Sequence, residues 1–201
     1  MRRYCKWILI FSFAVILFPY AFFYGKPVHV SIDDVSVFER LSEDNYESVF
    51  DEPFLNRLQT IHRRTGAKFT LYVYESSVSS VPDFYWEQFR TNSDWLKIGF
   101  HATSAEEPIT QTDEEFISSY NRLDSILSNK APQNKTDVLR LHYWKASPVE
   151  IDFLKDKGIR CLLCADRDVI SYSLSKEDNY ELIAEEVFHK NGMNYKKTDW
   201  L

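Results

Sequence analysis

Apolar and polar positions change period repeatedly along this chain. The run VHVSI (28–32) has the short alternation of a strand and leads directly into two adjacent carboxylates, Asp33 and Asp34. Between 53 and 64 the spacing becomes helical, and Gly66 offers a C-cap. AKFTLYVY (67–74) is rich in β-formers, PDFYWEQFR (82–90) reads as a helix, and WLKIGF (95–100) reads as a strand. Over 113–128, Phe116, Ile117, Tyr120, Leu123, Ile126 and Leu127 recur at helical spacing. DVLRLHYW (137–144) predicts a fourth strand. SPVEIDFLKDKG (147–158) predicts a helix, with Ser147 at the N-cap, Glu150 three residues on and Gly158 ending it. IRCLLCA (159–165) is the fifth strand. Beyond Arg167 the pattern weakens to one more helix over 180–190 and the start of a further strand at KKTDWL.

The order βαβαβαβαβ predicts an α/β fold with a parallel sheet and right-handed crossovers, either doubly wound or part of a β/α barrel. In such folds chemistry gathers where the strands end, so the polar residues at those ends are the candidates. They are Asp33 and Asp34 after strand one, Glu75 after strand two, His101 after strand three, and His142 and Tyr143 after strand four. Arg140 lies within strand four, and Asp166 and Arg167 follow strand five. Carboxylate oxygen with imidazole nitrogen suits a borderline divalent ion, zinc first, with iron, cobalt or nickel as alternatives. Such an ion on an open site acidifies water and polarises a carbonyl, and a second carboxylate beside it can act as base. One Asp of the pair then ligates while its neighbour takes the proton.

Charge and composition narrow the setting. The chain has 201 residues, 44% of them hydrophobic, which suits one packed domain and a short appendage. Arg2, Arg3 and Lys6 precede an uncharged, mostly apolar run from 7 to 24. Eighteen helical residues span about 27 Å, close to a ~30 Å hydrocarbon core. Residues 1–25 therefore read as a signal anchor, with a cleaved signal peptide as the alternative. Residues 26–201 form the domain, expected outside the cytoplasmic membrane, at the periplasm or cell surface, or secreted. Residues 27–201 hold 20 Lys+Arg against 30 Asp+Glu, a net of −10. That balance argues against a nucleic-acid partner. Five glycines, none adjacent to another, exclude a P-loop and a dinucleotide fingerprint. Cys161 and Cys164 form a CxxC inside a strand, where positions i and i+3 face opposite ways, so they read as buried thiols.

Five segments taken together, IDDVS, AKFTLYVY, KIGFHATSAEEP, LRLHYW and SPVEIDFLKDKGIRCLLCAD, resemble successive motifs of the polysaccharide deacetylases, the NodB-homology family of carbohydrate esterases, and in particular a divergent subset. The resemblance spans about residues 27–168. It implies a distorted (β/α) barrel, here of about five or six strands, preceded by a hydrophobic helix. It also implies a metal-dependent hydrolase that removes acetyl groups from N-acetylated sugars of an extracytoplasmic polysaccharide. Asp33 resembles the family's base, Asp34 its ligating Asp, and His101 the first histidine of its H-x-x-x-H pair. The second histidine falls at Ala105, followed by Glu106 and Glu107. The arginine motif appears as Arg140-Leu141-His142-Tyr143, with His142 in the place of proline and able to supply the third ligand. Asp166 and Arg167 resemble the pair that orients the base, and Tyr143 and Trp144 are expected to stack on a sugar. The family's late general-acid histidine has no counterpart, which fits either a fragment or a degenerate member.

Plainer readings stand beside these. Paired Asp after a strand is a common turn, His101 and His142 can be packed structural histidines, and Asp166–Arg167 can be a surface pair. Glu75 reads as solvated, and His29 and His62 as structural. The alternative function is a non-catalytic deacetylase-like glycan-binding or scaffold domain with a decayed metal site. Phosphate-ester cleavage on the same scaffold is a third reading. The lack of G-x-S-x-G argues against a serine esterase.

Overall fold

The computed structural model describes residues 29–44, 46–105, 112–165, 169–185 and 187–198. The expected hydrophobic helix over 1–25, together with Glu106, Glu107, Asp166 and Arg167, lies outside them. Among the described residues no helix is long and apolar enough to cross a membrane.

The fold is α/β, with two sheets that meet edge to edge. The first has the order β1 (His29–Val35), β2 (Lys68–Tyr74), β3 (Leu96–Ala102), all parallel. The second has the order β4 (Val138–Leu139), β5 (Cys161–Cys164), β7 (Met193–Lys197), β6 (Phe188–Lys190). There β4, β5 and β7 are parallel and β6 runs antiparallel to β7. Helices connect the strands: α1 (Val37–Glu43), α2 (Pro53–Thr65), the single turn α3 (Glu75–Val78), α4 (Asp83–Arg90), α5 (Asp113–Lys130), α6 (Pro148–Asp156) and α7 (Lys176–Ala184). The described strands do not close into a barrel.

Local sequence explains most boundaries. α6 begins at a capping box in which Ser147 accepts from the Glu150 N–H and Glu150 accepts from the Ser147 N–H. α2 ends at Gly66, whose φ of 72° is the left-handed cap that glycine adopts without a Cβ penalty. The aromatic core follows. Phe38 of α1 stacks on Trp86 and Phe89 of α4, and Phe100 of β3 meets Phe116 and Tyr120 of α5 edge-on.

The seam between the sheets is polar, and its donors are paired while Asn134 Oδ1 has no protein partner. The buried Asn134 side chain donates to the carbonyls of Leu96 and Phe89 at 2.8 and 2.9 Å, and Tyr72 Oη donates to the Val138 carbonyl at 2.9 Å. Gly99 allows this approach, because a Cβ there would lie 2.8 Å from Thr136 and from the Tyr72 ring.

Three sequence expectations are corrected. The fourth strand does not run over 137–144. Pairing ends at Leu139, and 142–144 form a tight turn in which Tyr143 and Trp144 take φ of 54° and 51°. The last helix covers Lys176–Ala184 rather than 180–190, and the residues after it form the hairpin β6–β7. Its two-residue turn is Asn191-Gly192, both at positive φ, a strong local hairpin signal that a search for helical periodicity passes over. With β7 paired to β5, the described strands number seven rather than five or six.

Candidate metal and acid–base site

The carboxyl ends of β1, β2 and β3 and the turn after β4 converge on one cluster. Two irregularities bring it together. Between Ile32 and Val35, β1 spends one residue more than β2 does between Leu71 and Val73, so the Asp33–Asp34 pair sits in a bulge with Asp34 at φ 53°. In a regular strand, adjacent side chains point to opposite faces. The bulge lets both carboxylates serve one site. β3 does the same opposite Val73–Tyr74, where the extra residue is His101.

His101 is 4% exposed, and its Nδ1 donates to the Arg140 carbonyl at 2.7 Å. A carbonyl only accepts, so Nδ1 carries a proton, and in the neutral ring Nε2 presents a lone pair. That nitrogen lies 3.2 Å from Asp34 Oδ1 and 3.1 Å from His142 Nδ1, and His142 Nδ1 lies 3.7 Å from Asp34 Oδ1. The rings of His101 and His142 meet edge to face at 5.0 Å. Burial first, and then His101 beside it, hold the His142 pKa below its ordinary value, which favours the neutral ring.

These three residues are a group whose potential ligand atoms all lie within 4.8 Å of one another. The donor set fits a divalent ion. Tetrahedral bonds of ~2.0–2.1 Å place ligand atoms about 3.3–3.4 Å apart, and the observed separations of 3.1, 3.2 and 3.7 Å bracket that value. Two imidazoles and one carboxylate also match the donor chemistry of catalytic zinc sites.

Asp33 stands beside this cluster. Its Oδ2 accepts from Arg140 Nη1 at 2.9 Å, while its Oδ1 is buried with no protein partner. Arg140 thus serves the site twice, through its side chain to Asp33 and through its backbone to His101. Among the described residues, buried side-chain atoms without a protein partner include Asp33 Oδ1, Arg140 Nε, His142 Nε2 and Trp144 Nε1. Orphan polar atoms are uncommon in folded proteins, and three of these belong to Asp33, Arg140 and His142 of the cluster, with a further one, Asn134 Oδ1, at the seam.

The predicted substrate residues separate. Tyr143 is 55% exposed, with its ring tilted over His142 at 4.0 Å. Trp144 is half-buried against the core. The two consecutive left-handed residues are held in place when the Tyr172 N–H donates to the Trp144 carbonyl at 2.5 Å and Ser173 Oγ donates to the Ala146 carbonyl at 2.5 Å. Asp166 lies outside the described residues.

Glu75 is corrected from solvated to buried. It pairs with Arg122 at 2.8 Å, accepts from Ser119 at 3.3 Å, and so ties α3 to α5 away from the site. His62, stacked on Trp95 at 4.6 Å and bonded to the Ala67 carbonyl, is structural as expected, as is His29, which meets Thr70 at 2.8 Å. Cys161 and Cys164 are free thiols, and burial raises both pKa values, to about 11 and about 12.

One site residue was not singled out from sequence. Tyr74, the last residue of β2, donates its hydroxyl to Asp34 Oδ1, and its ring packs edge-on against His101 and His142 at 5.7 and 6.0 Å. Burial first, then that hydrogen bond, raise its pKa, so it remains a donor. The signal available was its position one residue before Glu75, the residue taken as the strand end.

No family model matches this chain, and no curated protein and no solved structure matches it.

Proposed function

We propose that this chain is a metal-dependent hydrolase that removes acetyl groups from N-acetylated sugars of an extracytoplasmic polysaccharide. The observation that carries the reading is the triad of Asp34, His101 and His142, with ligand atoms 3.1–3.7 Å apart beside the base candidate Asp33. Asp34, His101 and His142 would hold a divalent ion, zinc first, which would supply Lewis-acid chemistry that acidifies water and polarises an acyl carbonyl.

The remaining roles belong to the chain itself. The Arg140 guanidinium fixes the Asp33 carboxylate through Oδ2 and leaves Oδ1, buried and without a protein partner, as the oxygen that would take the proton of a water admitted to the site. The His101 tautomer is set by the Arg140 carbonyl, so its Nε2 stays a lone-pair donor. With His142 Nδ1 turned to the ion, its proton would reside on Nε2, a buried donor without a protein partner. The exposed Tyr143 ring offers a sugar-stacking surface at the mouth. The resemblance gives Asp166, outside the described residues, the role of orienting the base. The consecutive order β1 to β5, with chemistry at the carboxyl ends, supports an opened version of the distorted (β/α) barrel of the polysaccharide deacetylase type. The apolar run over 7–24 supports membrane anchoring of the chain, with the domain outside.

The test is acetate release from N-acetylglucosamine oligosaccharides with zinc supplied. Asp33→Asn should abolish turnover and retain the metal; full turnover in that variant removes Asp33 from the mechanism. A second reading, a glycan-binding domain without catalysis, draws on Ala105 standing where the resemblance expects a histidine. It predicts sugar binding with no acetate released by the wild type.

A further inference from the structure

Resting on the metal-site reading above, we propose that Tyr74 is a positioning residue for that site: its hydroxyl holds the Asp34 carboxylate in the ligating orientation. Asp34 needs such a hold. Its side chain is 62% exposed and its backbone sits in a bulge at φ 53°, so packing does little to restrict its rotamers. An exposed, freely rotating carboxylate is a weak ligand, because its ordering must be repeated at every binding event.

The hydroxyl of Tyr74 acts on the decisive atom. It donates to Oδ1, the oxygen that also faces His101 Nε2 and His142 Nδ1. An ionised carboxylate oxygen has two lone-pair directions, so Oδ1 can accept from Tyr74 and still face a cation. The Tyr74 ring is itself fixed, being 5% exposed at the end of β2 and packed edge-on against both imidazoles. One rigid side chain therefore touches all three members of the ligand group. Supporting partners of this kind orient ligands, and their loss typically weakens metal binding 10–100-fold.

The experiment uses the full purified chain, stripped of metal by a chelator and titrated with zinc against a competing chromophoric chelator, and with cobalt(II) to follow coordination by its visible absorption. Tyr74→Phe removes only the hydroxyl. The expected result is zinc affinity weakened about 10–100-fold, an altered cobalt spectrum, and a metal-free thermal midpoint close to that of the wild type. In an Asp34→Ala background, where the ion is lost on dialysis but the residual affinity is read by titration to high zinc, Tyr74→Phe should cost nothing further, because the residue acts through Asp34. Wild-type affinity in Tyr74→Phe overturns the proposal, as does an equal loss in both backgrounds. A drop in metal-free stability large enough to explain the lost binding also counts against it. A wild-type chain that binds neither ion overturns this inference and the metal-site reading together, whereas a binding wild type with an indifferent Tyr74→Phe removes this inference alone.

Discussion

Replacing Arg140 by Leu separates the two roles that this residue plays. The change deletes the guanidinium that meets Asp33 Oδ2 at 2.9 Å but keeps the backbone carbonyl that holds His101. At 2.9 Å, Coulomb's law gives about 6 kcal/mol for an effective dielectric of 20 and about 1.4 kcal/mol in bulk water. The side chains are 15% and 24% exposed, which places the pair between these limits, and desolvation offsets part of the attraction. A coupling of about 1–3 kcal/mol remains. For a domain of this size, 2 kcal/mol corresponds to a fall of about 4–8 °C in thermal midpoint. Because Asp33 Oδ1 already lacks a protein partner, losing Arg140 leaves the whole carboxylate unpaired. Asp33→Asn added to Arg140→Leu should therefore recover part of the lost stability. The assay is urea or thermal unfolding of the metal-free wild type, both single variants and the double variant, with zinc affinity measured beside it. Zinc affinity should survive Arg140→Leu while turnover is lost. A coupling indistinguishable from zero, or loss of zinc binding in Arg140→Leu, would refute the division of labour between side chain and backbone.

Two further outcomes follow from the fold. Gly99→Ala should destabilise by about 1–3 kcal/mol, since its Cβ meets Thr136 and the Tyr72 ring at 2.8 Å and Tyr72 is pinned to the Val138 carbonyl; an unshifted melting curve would show that the seam is loose. Asp178 completes the α7 capping box and pairs with Lys190 of β6, and that pairing foremost holds its pKa below the ordinary carboxylate value. A depressed pKa contributes stability above the unfolded value of about 3.9 and loses it as pH falls through the lower folded value. Asp178→Asn should thus cost about 0.5–1 kcal/mol at pH 7, discounted for the half-buried lysine's contact with solvent, with the gap closing in strong acid; a pH-independent gap would contradict this.

Much of the fold was legible in the sequence because local signals agreed with the global arrangement. Gly66, the Ser147–Glu150 box and the apolar spacing over 113–128 each fixed an element close to its observed ends. The failures have physical causes. DVLRLHYW looks like a strand by composition, yet its second half turns through two left-handed residues fixed by Tyr172 and Ser173, which are distant in sequence. The hairpin at Asn191-Gly192 was written in local turn chemistry rather than in periodicity. At the site, residue types at strand ends named Asp33, Asp34, His101, Arg140 and His142. How adjacent Asp33 and Asp34 reach one cluster depends on a bulge set by pairing with β2. The part played by Tyr74 was hidden for a similar reason, since its hydroxyl reaches across to the neighbouring strand.

The most direct test of the account is elemental analysis of the purified chain after zinc loading and extensive dialysis, beside Asp34→Ala, His101→Ala and His142→Ala. The account predicts about one ion per wild-type chain, held by three ligands, and its loss in each variant. An ion that survives all three substitutions, or a wild type that holds none, would contradict it.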